Sequence, residues 1–385
     1  MAAPQTFLTG NGDAARTLVV VFLRGGADGL SLVPPLADDG YHRARPRIAI
    51  KPADAVKLDG FFGLNPLLRD LEPAWKEGAL AIIHAVGSED TTRSHFEAQD
   101  LMEHGGLAAG GWLGRFLRHR KGAAHGPLSA IALGRSLPEC LRGAPAATAM
   151  TSLKDFSLGA PAKFLQQLGG LYTANSNALG TAGRDTLAAL RRIDELRAAD
   201  YKPAHGAEYA RDYFSQGLRQ IAQLVKARVG LEAASLDLNG WDSHLSQETV
   251  MNPELLKLNR GLSAFHRDLG PLMATTTVVV MTEFGRRVEE NSAFGTDHGR
   301  ASAMLVLGGG AKGGRVLGKW PGLTRDVLEG PGDLPVTTNY RDVLAPILAR
   351  HGAGDLAQVF PDFPLAPLPD LAFLAEPRAE KFRKT

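Results

Sequence analysis

The chain has 385 residues, 44% hydrophobic and 22% charged, with a formal net charge of +2. That is the balance of an ordinary soluble globular protein with a core of useful size, and it excludes a strongly charged partner-binding chain. No Lys/Arg run is long enough for a nucleic-acid face, the short RHRK at Arg118–Lys121 reading as a solvated helix end. The single cysteine, Cys140, excludes an intrachain disulfide and a Cys-rich metal motif. No apolar run approaches the ~18 residues a membrane span needs.

The first residues, MAAPQTFLTGNGDAAR, lack the basic-then-apolar pattern of a signal peptide. The chain as written therefore reads as cytoplasmic, or as periplasmic if an export signal has been removed. Val19–Leu23 (VVVFL) is the first strand-like run, followed by the Gly25–Gly29 loop, GGADG, with Asp28. Ala79–Val86 is a second strand, followed by GSEDTTRSHFEAQD. Ser94–His104 has a helical pattern with Ser94 at a capping position and Glu97 three residues on. Gly110–Arg118 is a further helix and Ser129–Leu133 a further strand. Residues 161–230 repeat Leu, Ile and Ala at spacings of three and four, which predicts a mainly helical insert at about 150–230. Alternation then returns with strand Ser235–Leu238, helix Pro253–Leu269, strands Thr276–Met281 and Ala303–Leu307, and helix Tyr340–Arg350. The Pro-rich tail after His351 is expected on the surface. This order, with no internal repeat, predicts a single α/β domain over 1–385, built on a doubly wound sheet.

Acidic and histidine residues recur where these strands stop, and ligands of open α/β sheets bind at the carboxyl ends of strands. GWDSH places Asp242 and His244 two apart, so an extended backbone points both the same way and both can bind one metal. The plainer alternative is an Asp turn with a surface histidine. GTDHGR offers His298 as a third ligand and Asp297 as its orienter, against a polar turn before the next strand. TEFGRR puts Glu283 at a strand end, free to bind metal or act as a base, against an N-cap or a salt bridge to Arg286. EDTTRSHFE offers Thr91, Thr92 and Ser94 at a helix start, where a hydroxyl can attack an ester, and Arg93 to clamp an anion. Its plainer alternative is helix capping. Neither GGADG nor GGGAKGG at Gly308–Gly314 has the spacing of a dinucleotide or phosphate loop. The latter reads as a strand connection.

The segments FLRGGADGL, RSHFEAQD, GGWLGR, GWDSH, TEFGR, TDHGR and VTTNYRDVL together resemble the bacterial DUF1501 family, over about residues 17–365. That family lies within the alkaline phosphatase and sulfatase superfamily. The resemblance implies a mostly parallel central sheet with helices on both faces and a two-metal plan. By it, Asp242, His244 and His298 hold one ion. Asp28, Glu283 and a hydroxyl from Thr91–Ser94 hold the other. Locally, Asp90–Glu97 (DTTRSHFE) and Gly295–Ala301 (GTDHGRA) are also similar to the nucleophile loop and late histidine of phosphopentomutases. That similarity points to Thr91 as nucleophile, whereas the RSHF core points to Ser94. One departure stands out: the superfamily's Asp-His pair reads Glu283-Phe284 here, so the second site lacks an imidazole unless His95 replaces it. Arg286 and Arg300 are further candidates on the same rim. The implied function is metal-dependent hydrolysis or transfer of a phosphate or sulfate ester, of a small molecule or a glycan, with one or two ions of zinc or manganese. The alternative is a non-catalytic binding or assembly protein on a degenerate fold of this type.

Overall fold

The central strand TLVVVFLR is apolar at nearly every position because it is covered on both sides. In the computed structural model it is β1 (Thr17–Arg24), whose residues alternate between two cores. The structure describes residues 16–120, 122, 126–154 and 159–373, so the N-terminal stretch read for an export signal and Lys121 of the basic run lie outside the described residues. The other strands are β2 (Val56–Lys57), β3 (Gly63–Leu64), β4 (Leu80–Gly87), β5 (Ala130–Leu133), β6 (Thr148–Met150), β7 (Ala233–Asn239), β8 (Thr276–Thr282), β9 (Ser302–Gly308), β10 (Arg315–Leu317) and β11 (Thr338–Asn339). The helices are α1 (Gly29–Leu32), α2 (Asp39–Ala44), α3 (Glu72–Lys76), α4 (His95–His104), α5 (Trp112–His119), α6 (Ala162–Thr173), α7 (Ala178–Ala198), α8 (Tyr213–Lys226), α9 (Gln247–Leu269) and α10 (Tyr340–Arg350).

Among the described residues, one large sheet runs β10-β4-β9-β8-β1-β7-β5-β6, with β11 also paired to β4. All its pairings are parallel except those of β9, which runs antiparallel to β4 and β8. The expected mostly parallel α/β architecture is what forms. Val19, Val21 and Leu23 face one core with Phe214 and Leu218 of α8 and Leu258 and Phe265 of α9. Leu18, Val20 and Phe22 face the other, with Trp112 and Phe116 of α5 and Val343 and Ile347 of α10. Each side chain buried this way contributes about 1.5–3 kcal/mol.

This topology sets the site. The carboxyl ends of β1, β4, β7 and β8 share one rim, and the reversed β9 begins there. A residue just before β9 therefore reaches the same rim as residues just after the parallel strands. His298 arrives by that route, at the start of an antiparallel strand.

Candidate metal centre

Two glycines let the rim loops close on each other. Gly25 and Gly26 sit at φ of +119° and +66°. A Cβ on Gly25 would fall 2.6 Å from the backbone nitrogen of Asp242, and one on Gly26 2.5 Å from the Phe284 ring. Arg286 staples the same loops from below. Its Nε donates to the Gly26 carbonyl at 2.7 Å, its Nη1 to that of Thr296 at 3.0 Å, and its Nη2 to Asp242 Oδ1 at 2.8 Å.

On this base three ligand-type side chains converge. One ligand atom each from His95, Asp242 and His298 all lie within 4.8 Å of one another. His95 Nε2 is 3.5 Å from Asp242 Oδ2, and His298 Nε2 is 3.3 Å from Asp242 Oδ1. An ion with bonds of ~2.0–2.1 Å in tetrahedral geometry needs ligand atoms about 3.3 Å apart. His244 Nε2 adjoins the group, 3.1 Å from Asp242 Oδ1 and 2.9 Å from His298 Nε2.

The far sides of two rings are tied off. His95 Nδ1 lies 2.8 Å from Glu283 Oε1, and His298 Nδ1 lies 2.9 Å from the Arg93 carbonyl oxygen. Both partners only accept, so each Nδ1 carries a proton. The Nε2 of His95 is buried without a hydrogen-bond partner and faces Asp242 Oδ2 at 3.5 Å. Burial alone would raise the Asp242 carboxyl, but the Arg286 guanidinium outweighs it and brings its pKa down to about 2. The hydrogen bond to Glu283, against opposing burial, raises the pKa of His95. Burial first, then Arg286, lowers that of His298. A carboxylate and imidazoles are donor types that fit a divalent ion.

Several expected residues sit elsewhere. Asp28 is fully buried and caps α1, accepting from Leu30 N, Ser31 Oγ, Gln247 Nε2 and both Nη atoms of Arg45. Its oxygens are already used by protein donors, which corrects its reading as a ligand. Glu283 is likewise no open ligand: Oε1 accepts from Gly25 N, His95 Nδ1 and Gln99 Nε2, and Oε2 from Thr282 Oγ1. It forms no ion pair with Arg286. It orients His95 instead, and Phe284 packs its ring 4.8 Å from that of His95.

Arg93 is not an open anion clamp, because its guanidinium grips the buried Asp333 through Nε at 2.9 Å and through Nη2. Its backbone, at φ +56°, aims its carbonyl at His298. Ser94 is the N-cap of α4, yet its hydroxyl makes no cap bond, unlike the expected capping box. Thr92 Oγ1 donates to Asp90 Oδ2 at 3.0 Å, and Thr91 is exposed. Asp297 stands behind His244, 3.6 Å from its Nδ1, and is held by Arg287 and Asn291. Arg300 turns away to Glu329 and the Ser88 carbonyl. Sequence reasoning passes over Asp333, Asn291 and Gln99. Only Gln99 leaves a signal, standing four residues after His95 on one helical face.

The family model described as a protein of unknown function, DUF1501, matches residues 164–361. The chain belongs to the DUF1501 family. Of the candidate residues, Asp242, His244, Glu283 and His298 fall inside the matched stretch, and Ser94 and His95 before it. Among solved structures, the DUF1501 chain is similar to the C-terminal periplasmic domain of EcEptC from Escherichia coli, at 11% identity and TM-score 0.41, covering 91% of this chain and 88% of that one. It is also similar to BT1596, a 2-O GAG sulfatase, at 10% identity and TM-score 0.35, covering 89% and 72%. Alkaline phosphatase from the Antarctic bacterium TAB5 is similar at 8% identity and TM-score 0.30, covering 77% and 92%. No curated protein sequence matches. Among the described residues, no helix is long and apolar enough to cross a membrane.

Proposed function

We propose that this chain is a metal-dependent hydrolase or transferase acting on a phosphate or sulfate ester, with one divalent ion, zinc or manganese, held by His95, Asp242 and His298 and with His244 adjoining. The observation that carries this reading is the convergence of these ligand atoms within 4.8 Å, with His95 Nε2 buried and without a hydrogen bond. One ion rather than two follows from Asp28 and Glu283, whose oxygens are already committed to protein donors.

A bound ion would polarise an ester oxygen and lower the pKa of a coordinated hydroxyl or water. The protein's own part is positioning. Asp242 stays ionised because Arg286 holds it so. Glu283 and the Arg93 carbonyl fix the two imidazoles. Ser94 lies between Arg93 and His95, at the N-terminus of α4, where free N–H groups and the helix dipole favour an anion. Of the candidate hydroxyls, we assign the attack to Ser94, because it makes no cap bond, whereas that of Thr92 is held by Asp90. The Asp242 and His244 side chains are 49% and 42% exposed, which leaves the centre open to a small-molecule or glycan ester.

The test is turnover of an aryl phosphate and an aryl sulfate by zinc- and manganese-loaded protein, with Ser94→Ala alongside. Turnover of one substrate, reduced on the order of 10⁶-fold in Ser94→Ala, is expected for a nucleophile. Metal-loaded protein inert on both would favour a binding role.

A further inference from the structure

His95 and Gln99 stand at i and i+4 on α4, so both meet Glu283 from one helical face. Gln99 Nε2 lies 2.8 Å from Glu283 Oε1, and Gln99 Oε1 lies 3.0 Å from Arg24 Nη1. Arg24 is itself fixed, through Nε to Asp237 Oδ2 at 2.7 Å and through both Nη atoms to Glu103 at 3.2 Å.

The chemistry of these groups leaves the amide one orientation. A guanidinium has donors and no acceptor, so the Gln99 oxygen must face Arg24. Its nitrogen then faces Glu283, which as a carboxylate only accepts. A flipped amide would set N–H against N–H on one side and oxygen against oxygen on the other. Glu283 Oε1 thereby receives three donors: Gly25 N at 2.9 Å, Gln99 Nε2 at 2.8 Å and His95 Nδ1 at 2.8 Å. The backbone of the Gly25 loop and the Gln99 amide hold that oxygen in the one place where it also receives the imidazole proton.

We propose that Gln99 is a positioning residue that sets the tautomer and aim of His95, through the chain Arg24–Gln99–Glu283–His95. The chain joins three otherwise separate segments, FLRGG, RSHFEAQD and TEFGR, and none of its first three members offers a free ligand atom. Its effect on metal affinity rests on the metal reading above, whereas its effect on the tautomer does not. Removing the Gln99 donor lets Glu283 rotate and His95 sample the other tautomer, in which Nε2 carries a proton and no lone pair.

Two measurements test this separately. In metal-free protein labelled with 15N-histidine, NMR is expected to show His95 as the Nδ1–H tautomer in the wild type and a mixture in Gln99→Leu. Wild-type His95 as the Nε2–H tautomer would overturn the proposal. In zinc titrations, Gln99→Leu is expected to bind about 10- to 100-fold more weakly than wild type, the usual cost of losing a partner that orients a ligand. Equal affinity of the two proteins would overturn the proposal while leaving the metal reading intact. No zinc bound by the wild type would sink the metal reading, and the tautomer measurement would still decide the role of Gln99. Gln99→Met, of similar length, replaces Gln99→Leu in both measurements if the latter does not fold.

Discussion

Arg286 is wholly buried, yet its Nη2 donates to Oδ1 of an Asp242 whose side chain is 49% exposed. The same guanidinium binds the carbonyls of Gly25, Gly26, Trp241 and Thr296. One residue after β8 thus fixes the loops after β1 and β7 and the loop that carries His298. Arg286→Met leaves these carbonyls and Asp242 without their donor. A loss of about 1–3 kcal/mol is expected for each buried carbonyl left without its donor. Urea denaturation reads it, and a midpoint unchanged from wild type would contradict the staple.

Asp28 gives the opposite dissociation between stability and metal. Its carboxylate is enclosed with Arg45, Ser31 and Gln247. Asp28→Asn is expected to cost about 3 kcal/mol or more, again from an uncompensated buried charge. It should leave zinc stoichiometry as in the wild type. Urea denaturation and a zinc titration on the same preparation check both halves. Lost stoichiometry in a folded variant would restore Asp28 as a ligand.

A buried histidine away from the site sets a pH dependence. His84 Nε2 faces the Val33 carbonyl at 3.0 Å, and its Nδ1 accepts from Ala85 N at 2.9 Å, so the neutral ring is fully satisfied. Burial lowers its pKa from 6.5 to about 4. The unfolded chain binds this proton first as pH falls. Stability is therefore unaffected above pH 6.5 and declines between 6.5 and about 4, by roughly 1.4 kcal/mol per pH unit. Thermal denaturation at pH 7 and pH 4.5 should show a larger drop for wild type than for His84→Gln. Parallel drops would rule the ring out as the cause.

Strands β1, β4, β5, β7, β8 and β9 were legible because each is an apolar run bounded by turn residues, whereas β2, β3, β6, β10 and β11, of two or three residues, carry no such run; α10 over Tyr340–Arg350 falls where its pattern ends. The rim was legible too, since Asp242, His244 and His298 follow or precede such runs. The reversal of β9 was not, because a strand buried on both faces reads the same in either direction. That Glu283 lies behind His95 was not legible for a related reason. Which of two polar residues reaches the open rim depends on how deep each lies, and Glu283 is 1% exposed. Arg93 was misread because its partner, Asp333, lies 240 residues away in a Gly- and Pro-containing loop with no pattern of its own.

The most direct test of the proposed centre is a zinc titration with elemental analysis on wild type, His95→Ala and His298→Ala. About one equivalent in the wild type, lost in each folded variant, is the result expected of a centre closed by these ligands. No bound ion in the wild type after zinc or manganese is added, or full retention in both variants, would contradict the account.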